Sequence, residues 1–255
     1  MCNRRMKFGK FLDYARNKGF DTVATGHYCS LIENADGSRD LEMGADPSKD
    51  QSYFLAMITQ EQLQSALFPI GSLLKSQVRD IARMEQLPNS EKKDSQGICF
   101  LGKIKIQDFL RHYIPECEGD IVNKSGKVLG KHKGLYNYTI GQRKGIGVAA
   151  VAPLYVVELR KDSNEVVVAF KDDSLNKGLI ANKITLSAIE KITEPIKCKV
   201  KIRSSQEPKE ATIKAWGEKI TVEFDELQSP IATGQSAVFY DGETVLGGGI
   251  IESVF

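Results

Sequence analysis

The sequence predicts an α/β segment built around a parallel sheet, followed by two small β-rich domains. Three observations predict it. The first ninety or so positions repeat apolar residues at helical spacing with a short β-type run between them. The second half breaks into short runs of period two separated by glycine turns. A chain of 255 residues, 41% hydrophobic and 27% charged, has the composition of a globular protein and exceeds the usual single-domain length.

Each element follows in order. Met6, Phe8, Phe11, Leu12 and Ala15 recur at spacings of three and four, so Asn3 to Lys18 reads as an amphipathic helix ended by Gly19, with Cys2 at its N-terminal edge. Thr22 to Thr25 is a strand that stops at Gly26-His27, and a strand after a helix suggests a parallel α/β sheet. The turn at its C-terminal end is where open α/β sheets bind ligands. Asp36-Gly37-Ser38 is a turn, and Pro47 to Gln51 is a loop that opens a helix running through Met57. A helix capped by Thr59 is predicted to reach Leu67, Phe68 to Gly71 interrupts the pattern, and Lys75 to Glu85 is helical again until Pro88-Asn89-Ser90. One more helix is expected at Ile106 to Tyr113. Strands then follow at Tyr155–Leu159, Glu165–Ala169, Lys197–Ile202, Ala211–Ala215, Lys219–Phe224, Ser236–Tyr240 and Val245–Ile251. A domain boundary is expected near Ser174 to Ile180, so the domains are read as 1–103, 104–177 and 178–255.

Several function classes drop out. The longest apolar run, near Val148 to Val157, is broken by Pro153 and is too short to span a bilayer, and the basic N-terminus leads into no uninterrupted signal-peptide core. The expected setting is cytoplasmic, without membrane. Net charge is only +2, so an anionic partner would have to be met by local clusters, such as Lys92-Lys93, Lys131-His132-Lys133, Arg143-Lys144 and Lys197 to Arg203. Five cysteines, an odd number with no CxxC and no Cys/His ligand spacing, argue against a disulfide framework and against bound metal. What remains is buried thiols or a few reactive ones. Cys2, at a helix N-terminus near Arg4 and Arg5, and Cys99, after a glycine turn preceded by Lys92 and Lys93, are the candidate nucleophiles.

Longer motifs narrow the reading. Cys2-Asn3-Arg4-Arg5-Met6-Lys7-Phe8 resembles the C-N-x-x-(I/M)-K-F motif of tRNA 2-thiouridylases. The same family is matched by Ala24 to Tyr28, by Lys49 to Leu55 (KDQSYFL), by Leu67 to Gly71 (LFPIG) and by Lys93 to Phe100 (KDSQGICF). Tyr138 to Gly145 (YTIGQRKG) and Thr233 to Tyr240 (TGQSAVFY) complete seven ordered matches spanning most of the chain. The resemblance implies an adenine-nucleotide hydrolase-like parallel-sheet remnant, then two β-rich domains, the last a β-barrel.

The implied activity is ATP-dependent 2-thiolation of the wobble uridine of tRNA. ATP, with Mg2+, activates the C2 oxygen as a leaving group, and a persulfide cysteine delivers sulfur. The resemblance assigns the persulfide to Cys99 and the resolving thiol to Cys2, so that turnover leaves a Cys2–Cys99 disulfide. It places Gly26 against ATP, and His27, Lys49, Asp50, Gln51, Arg203, Ser204 and Gln235 against tRNA, where cations attract phosphate and Gln or Ser donate directed bonds. A sulfur-donor protein, such as a cysteine desulfurase or relay protein, is the implied second partner. One family feature is missing from these 255 residues: the S-G-G-x-D-S loop, which cradles pyrophosphate roughly a hundred residues before the C-N-x-x-(I/M)-K-F motif. Gly247-Gly248-Gly249 does not replace it, because no helix N-terminus follows. The expectation is therefore an N-terminally shortened chain with reduced autonomous activity. The alternative reading is a non-catalytic tRNA-binding module.

Overall fold

A computed structural model describes residues 2–92 and 106–255. These form two compact units. The first joins residues up to Lys92 with Gly178–Glu226 and Gly234–Val254, and the second holds the described residues up to Lys177 with Leu227–Thr233 and Phe255.

In the first unit the chain opens with a π-helix, Asn3–Phe11, that continues as an α-helix, α1 (Leu12–Arg16). The helix forms where apolar spacing requires one. Its first nine residues, however, take the wider i→i+5 register, which spacings of three and four do not distinguish from the α form. Strand β1 (Val23–Ala24) pairs parallel with β4 (Ala66–Leu67), as the predicted parallel sheet requires. Between them come the hairpin β2 (Cys29–Glu33) and β3 (Arg39–Met43), then the short helices α2 (Ser52–Leu55) and α3 (Gln60–Gln64). The predicted helix from Thr59 thus ends at Gln64 rather than Leu67, because Ala66 and Leu67 leave it to pair with β1. Thr59 does cap it: its hydroxyl accepts from Gln62 N, and the Gln62 side chain accepts from Thr59 N. Helix α4 (Lys75–Met84) closes this part, with no residue of its own fully buried.

Gly71, in the LFPIG motif, shows why that segment interrupts the helical pattern. A Cβ at this position would lie 1.8 Å from the Cys29 carbonyl oxygen, so only glycine lets the segment press against β2.

The barrel is made by six strands: β9 (Asn176–Leu186), β10 (Ile196–Lys201), β11 (Lys209–Trp216), β12 (Lys219–Gln228), β13 (Ser236–Asp241) and β14 (Thr244–Val254). They neighbour one another in the order β13-β10-β11-β12-β9-β14, and β14 returns to β13, which closes the ring and removes its edges. The β2–β3 hairpin adds to the outside of β14, with Glu42 opposite Thr244. Met43 N donates to Glu243 O at 3.0 Å, and Thr244 Oγ1 donates to Glu42 Oε1 at 3.2 Å. The predicted boundary near Ser174 to Ile180 coincides with the start of β9, whose polar opening residues Asn176 and Lys177 disguise an eleven-residue strand.

One core cluster joins the N-terminal part to the barrel. Phe8, Leu12, Leu41, Leu55 and Leu63 from the N-terminal part pack in one cluster with Val238, Tyr240 and Val245 from the barrel. At roughly 25 cal/mol per Å² of apolar surface removed from water, side chains of this size stabilise by about 1.5–3 kcal/mol each.

The first described element of the second unit is α5 (Ile106–Arg111), and the unit contains a four-stranded sheet. Its strands are β5 (Gly119–Asn123), β6 (Val128–His132), β7 (Leu154–Arg160) and β8 (Glu165–Phe170), in the order β6-β5-β8-β7. Strands β5 and β8 run parallel, the other pairs antiparallel, over a core of Ile121, Ile146, Val156, Val166 and Val168. Among the described residues no helix is long and apolar enough to cross a membrane.

Candidate functional site

The helix that carries Cys2 is held by its neighbours at four points. Asn3 Nδ2 donates to Phe54 O at 3.0 Å, and Arg4 Nη1 donates to Thr185 Oγ1 on β9 at 3.0 Å. Gln62 braces the helix from the side: its Nε2 donates to Arg4 O at 3.0 Å and to Phe8 O at 2.7 Å. Gly9 suits the same register, because a Cβ there would meet Arg4 O, five residues back, at 2.9 Å. Wide-register turns of this kind often mark functional sites. Cys2 itself is half-buried at the start of this helix with its thiol free.

Strand β1 delivers Gly26 and His27 beside that helix. Gly26 is not demanded by the fold. Its φ lies outside the left-handed region, and a Cβ would meet nothing closer than Ile70 Cδ1 at 3.8 Å. His27 is only 7% exposed, between the rings of Phe8 and Phe68. Lys7 Nζ lies 3.2 Å from His27 Nε2, and a lysine ammonium can only donate, so Nε2 must be the accepting nitrogen. The ring proton then sits on Nδ1 and is donated to Thr25 Oγ1 at 2.7 Å. Burial, with a smaller push from Lys7, lowers the His27 pKa to about 4, so the ring is neutral. The sequence places His27 on the tRNA; the structure places it beneath the surface, because Lys7 and the two phenylalanines enclose it.

The Lys49–Gln51 loop is pinned from within. Asp50 Oδ1 accepts from Gly44 N and Ser52 N, at 3.2 and 3.1 Å, and Oδ2 accepts from Ser52 Oγ at 2.9 Å. Its carboxylate is 4% exposed and faces Lys201 Nζ, itself 9% exposed, at 3.7 Å. The Asp50 carboxylate is thus turned into the protein. Gln51 pairs with Tyr28, donating from its backbone N to Tyr28 O and accepting from Tyr28 N on Oε1. Lys49 is half-buried on the same loop.

Three stretches that are distant in sequence meet here. The Tyr53 hydroxyl donates to Ser236 O at 2.9 Å and lies 3.4 Å from Ile202 O. Ser236 follows Gln235, which is exposed, and Ile202 precedes Arg203 and Ser204, half-buried and exposed in the β10–β11 turn. Ser52 Oγ is 3.2 Å from the hydroxyl of the buried Tyr240 on β13.

The basic run Lys197 to Arg203 is less available than its sequence suggests. Lys197 pairs with Asp225 at 2.6 Å, Lys199 with Glu210 at 3.8 Å, and Lys201 is inside with Asp50. Glu210 lies on the adjacent strand β11, Asp225 one strand further on β12, and Asp50 in the loop before α2, so none leaves a local sequence signal. The roles of Lys201, Gln62 and Tyr53 were missed for the same reason; only membership of KDQSYFL marked Tyr53.

Of the other thiols, Cys29 and Cys198 are buried, and burial raises both pKa values, that of Cys198 to about 12. Cys117 is exposed. Cys99 lies outside the described residues. Among the described residues no cluster of three or more His, Cys, Asp or Glu could hold a metal ion.

Comparison with known proteins agrees with this architecture. Family profiles described as a tRNA methyl transferase HUP domain, a tRNA methyl transferase PRC-barrel domain and an aminomethyltransferase beta-barrel domain match residues 1–103, 107–170 and 176–251. A tRNA-specific 2-thiouridylase MnmA of Akkermansia muciniphila is 43% identical over all of this chain and 72% of its own length. The one from Streptococcus thermophilus is 43% identical over all of this chain and 70% of its own length. That of Pasteurella multocida is 45% identical over 99% of this chain and 68% of its own length. With such identity running through a HUP-type domain, a PRC-barrel domain and a closed six-stranded barrel, the chain belongs to the tRNA-specific 2-thiouridylase family.

Proposed function

We propose that this chain carries out the ATP-dependent 2-thiolation of uridine in tRNA, at the wobble position, with Cys99 as persulfide carrier and Cys2 as resolving thiol. The observation that carries the tRNA side is the convergence of Lys49–Gln51, Arg203–Ser204 and Gln235 around Tyr53, from parts of the chain about 150 to 180 residues apart. Lys49, Gln51, Arg203, Ser204 and Gln235 face the RNA in this reading, while Asp50 and His27 hold the surface from beneath.

Gly26 sits at the C-terminal end of a parallel strand, the usual ligand position in open α/β sheets, and its missing side chain leaves the backbone open to a nucleotide. ATP supplies the leaving group at C2, and Mg2+ would arrive on its phosphates. The Cys99 persulfide attacks that carbon, and the Cys2 thiolate then attacks Cys99 Sγ. The thiocarbonyl is released and a Cys2–Cys99 disulfide remains, to be reduced by an external thiol. A sulfur-donor protein recharges Cys99, and a cytoplasmic setting supplies ATP, tRNA and reductant together.

The test is thiolation of a tRNA transcript with ATP, Mg2+ and a persulfide donor, read by mass spectrometry of the nucleosides. Wild type is expected to form 2-thiouridine, Cys99→Ser none, and Cys2→Ser at most a stalled tRNA adduct. Thiolation that persists in both serine variants would sink the assignment. Binding of tRNA without thiolation by wild type would make the chain the binding module instead.

A further inference from the structure

We infer that Tyr53, backed by the buried Asp50–Lys201 pair, is a positioning residue that locks the three tRNA-facing segments into one rigid surface. The inference rests on the tRNA reading given above and goes beyond it, because it assigns a role to side chains that do not themselves touch RNA.

The geometry is economical. Tyr53 is 7% exposed, and its hydroxyl reaches the carbonyls of Ile202 and Ser236 at 3.4 and 2.9 Å. Each carbonyl adjoins a candidate contact: Arg203 follows Ile202, and Gln235 precedes Ser236. Tyr53 itself is two residues past Gln51. One phenol therefore fixes the spacing of three loops. An apolar ring would fill the same space and leave the Ser236 carbonyl without this donor. Burial raises the pKa of this phenol to about 12, so it stays a donor across the physiological range.

The second tie is ionic. Lys201 is the last residue of β10 and reaches back to Asp50, the middle residue of the Lys49–Gln51 loop. Asp50 also receives Ser52 Oγ, which touches Tyr240 on β13. The loop is thus held to both strands that carry the other two segments. A buried pair of this kind adds little net stability but ties the loop to β10, since separating the two charges would leave each buried without the other.

Rigid spacing matters for RNA. Phosphates lie along a backbone at set intervals, and contacts made together lose less freedom than contacts made one at a time. The experiment is titration of the full chain with tRNA over a range of salt concentrations, for wild type, Lys49→Ala, Arg203→Ala and Tyr53→Phe, with thermal unfolding run alongside. Tyr53→Phe is expected to weaken tRNA binding about fivefold, the lower end of typical coupling between sites. It should also flatten the salt dependence by about one phosphate contact while the protein stays folded. A merely structural residue would leave that slope unchanged. If Lys49→Ala and Arg203→Ala weaken binding while Tyr53→Phe binds as wild type does, the lock is wrong and the tRNA surface stands. If neither alanine variant affects binding, the surface is wrong and the lock falls with it. Should Tyr53→Phe fail to fold, the paired change Asp50→Asn with Lys201→Met removes the ionic tie without stranding a charge. Wild-type affinity and slope in that variant would overturn the proposal.

Discussion

Gly26 and His27 are neighbours with opposite demands. The fold tolerates a methyl group at Gly26, so Gly26→Ala is expected to leave stability unchanged or raise it by about 0.4–1 kcal/mol through the unfolded chain. ATP-dependent thiolation should nevertheless fall at least about tenfold, because a Cβ at a close backbone approach misplaces the reacting groups. Urea unfolding and thiolation rate, measured side by side, separate the two effects. His27 belongs to the fold. Its folded pKa, about 4, lies below the ordinary 6.5, so the unfolded state binds more protons between these values. Stability from the neutral ring is present above pH 6.5 and is lost as pH falls toward 4, by about 3 kcal/mol at most. Unfolding free energies at pH 7 and pH 4.5 should therefore differ more for wild type than for His27→Gln. The motif around Ala24 to Tyr28 marked both residues without separating them. Burial by Lys7 and Phe68 is a fact of three dimensions that the motif does not carry.

At the scale of elements, Gln62 carries more of the structure than its sequence position suggests. Its side chain completes the Thr59 cap and also donates to two carbonyls of the π-helix. Gln62→Ala is expected to destabilise the first unit by about 1–3 kcal/mol, from a lost cap and two lost side-chain hydrogen bonds to the helix. Chemical denaturation measures the loss, and a shift confined to about 0.5 kcal/mol or less would show that water replaces the amide freely. The cap was legible, since Thr and Gln stand three residues apart. The brace was not, because Arg4 and Phe8 lie more than fifty residues earlier. The barrel strand Lys197 to Ile202 was legible to within one residue at each end, and Lys219 to Phe224 at its start only, since β12 runs on to Gln228. Strand β9 was not, since its polar start reads as a linker, and the short β1–β4 pair hides Ala66 and Leu67 inside a helical pattern.

For the molecule as a whole, the decisive feature is that the N-terminal part and the barrel share one core and one sheet. The sequence divides them into separate domains, because nothing local says that Leu41 packs in the same cluster as Tyr240 or that Glu42 sits opposite Thr244. The expected consequence is a single cooperative unit. Amide hydrogen exchange should show β2 and β3 protected to the same free energy as β13 and β14, and a denaturant series should expose them together. If the hairpin exchanged through a separate, lower-energy opening, the shared core would be mere contact.

That shared core also has a consequence during synthesis. Residues 2–92 leave the ribosome before the barrel, whose strands end at Val254, 254 − 92 = 162 residues later. At about 5–20 residues per second, the nascent chain waits roughly ten to thirty seconds with Phe8, Leu12 and Leu63 lacking their barrel partners. Until the barrel follows, the early segment exposes apolar surface at the tunnel exit, and slow codons late in the message would lengthen that exposure.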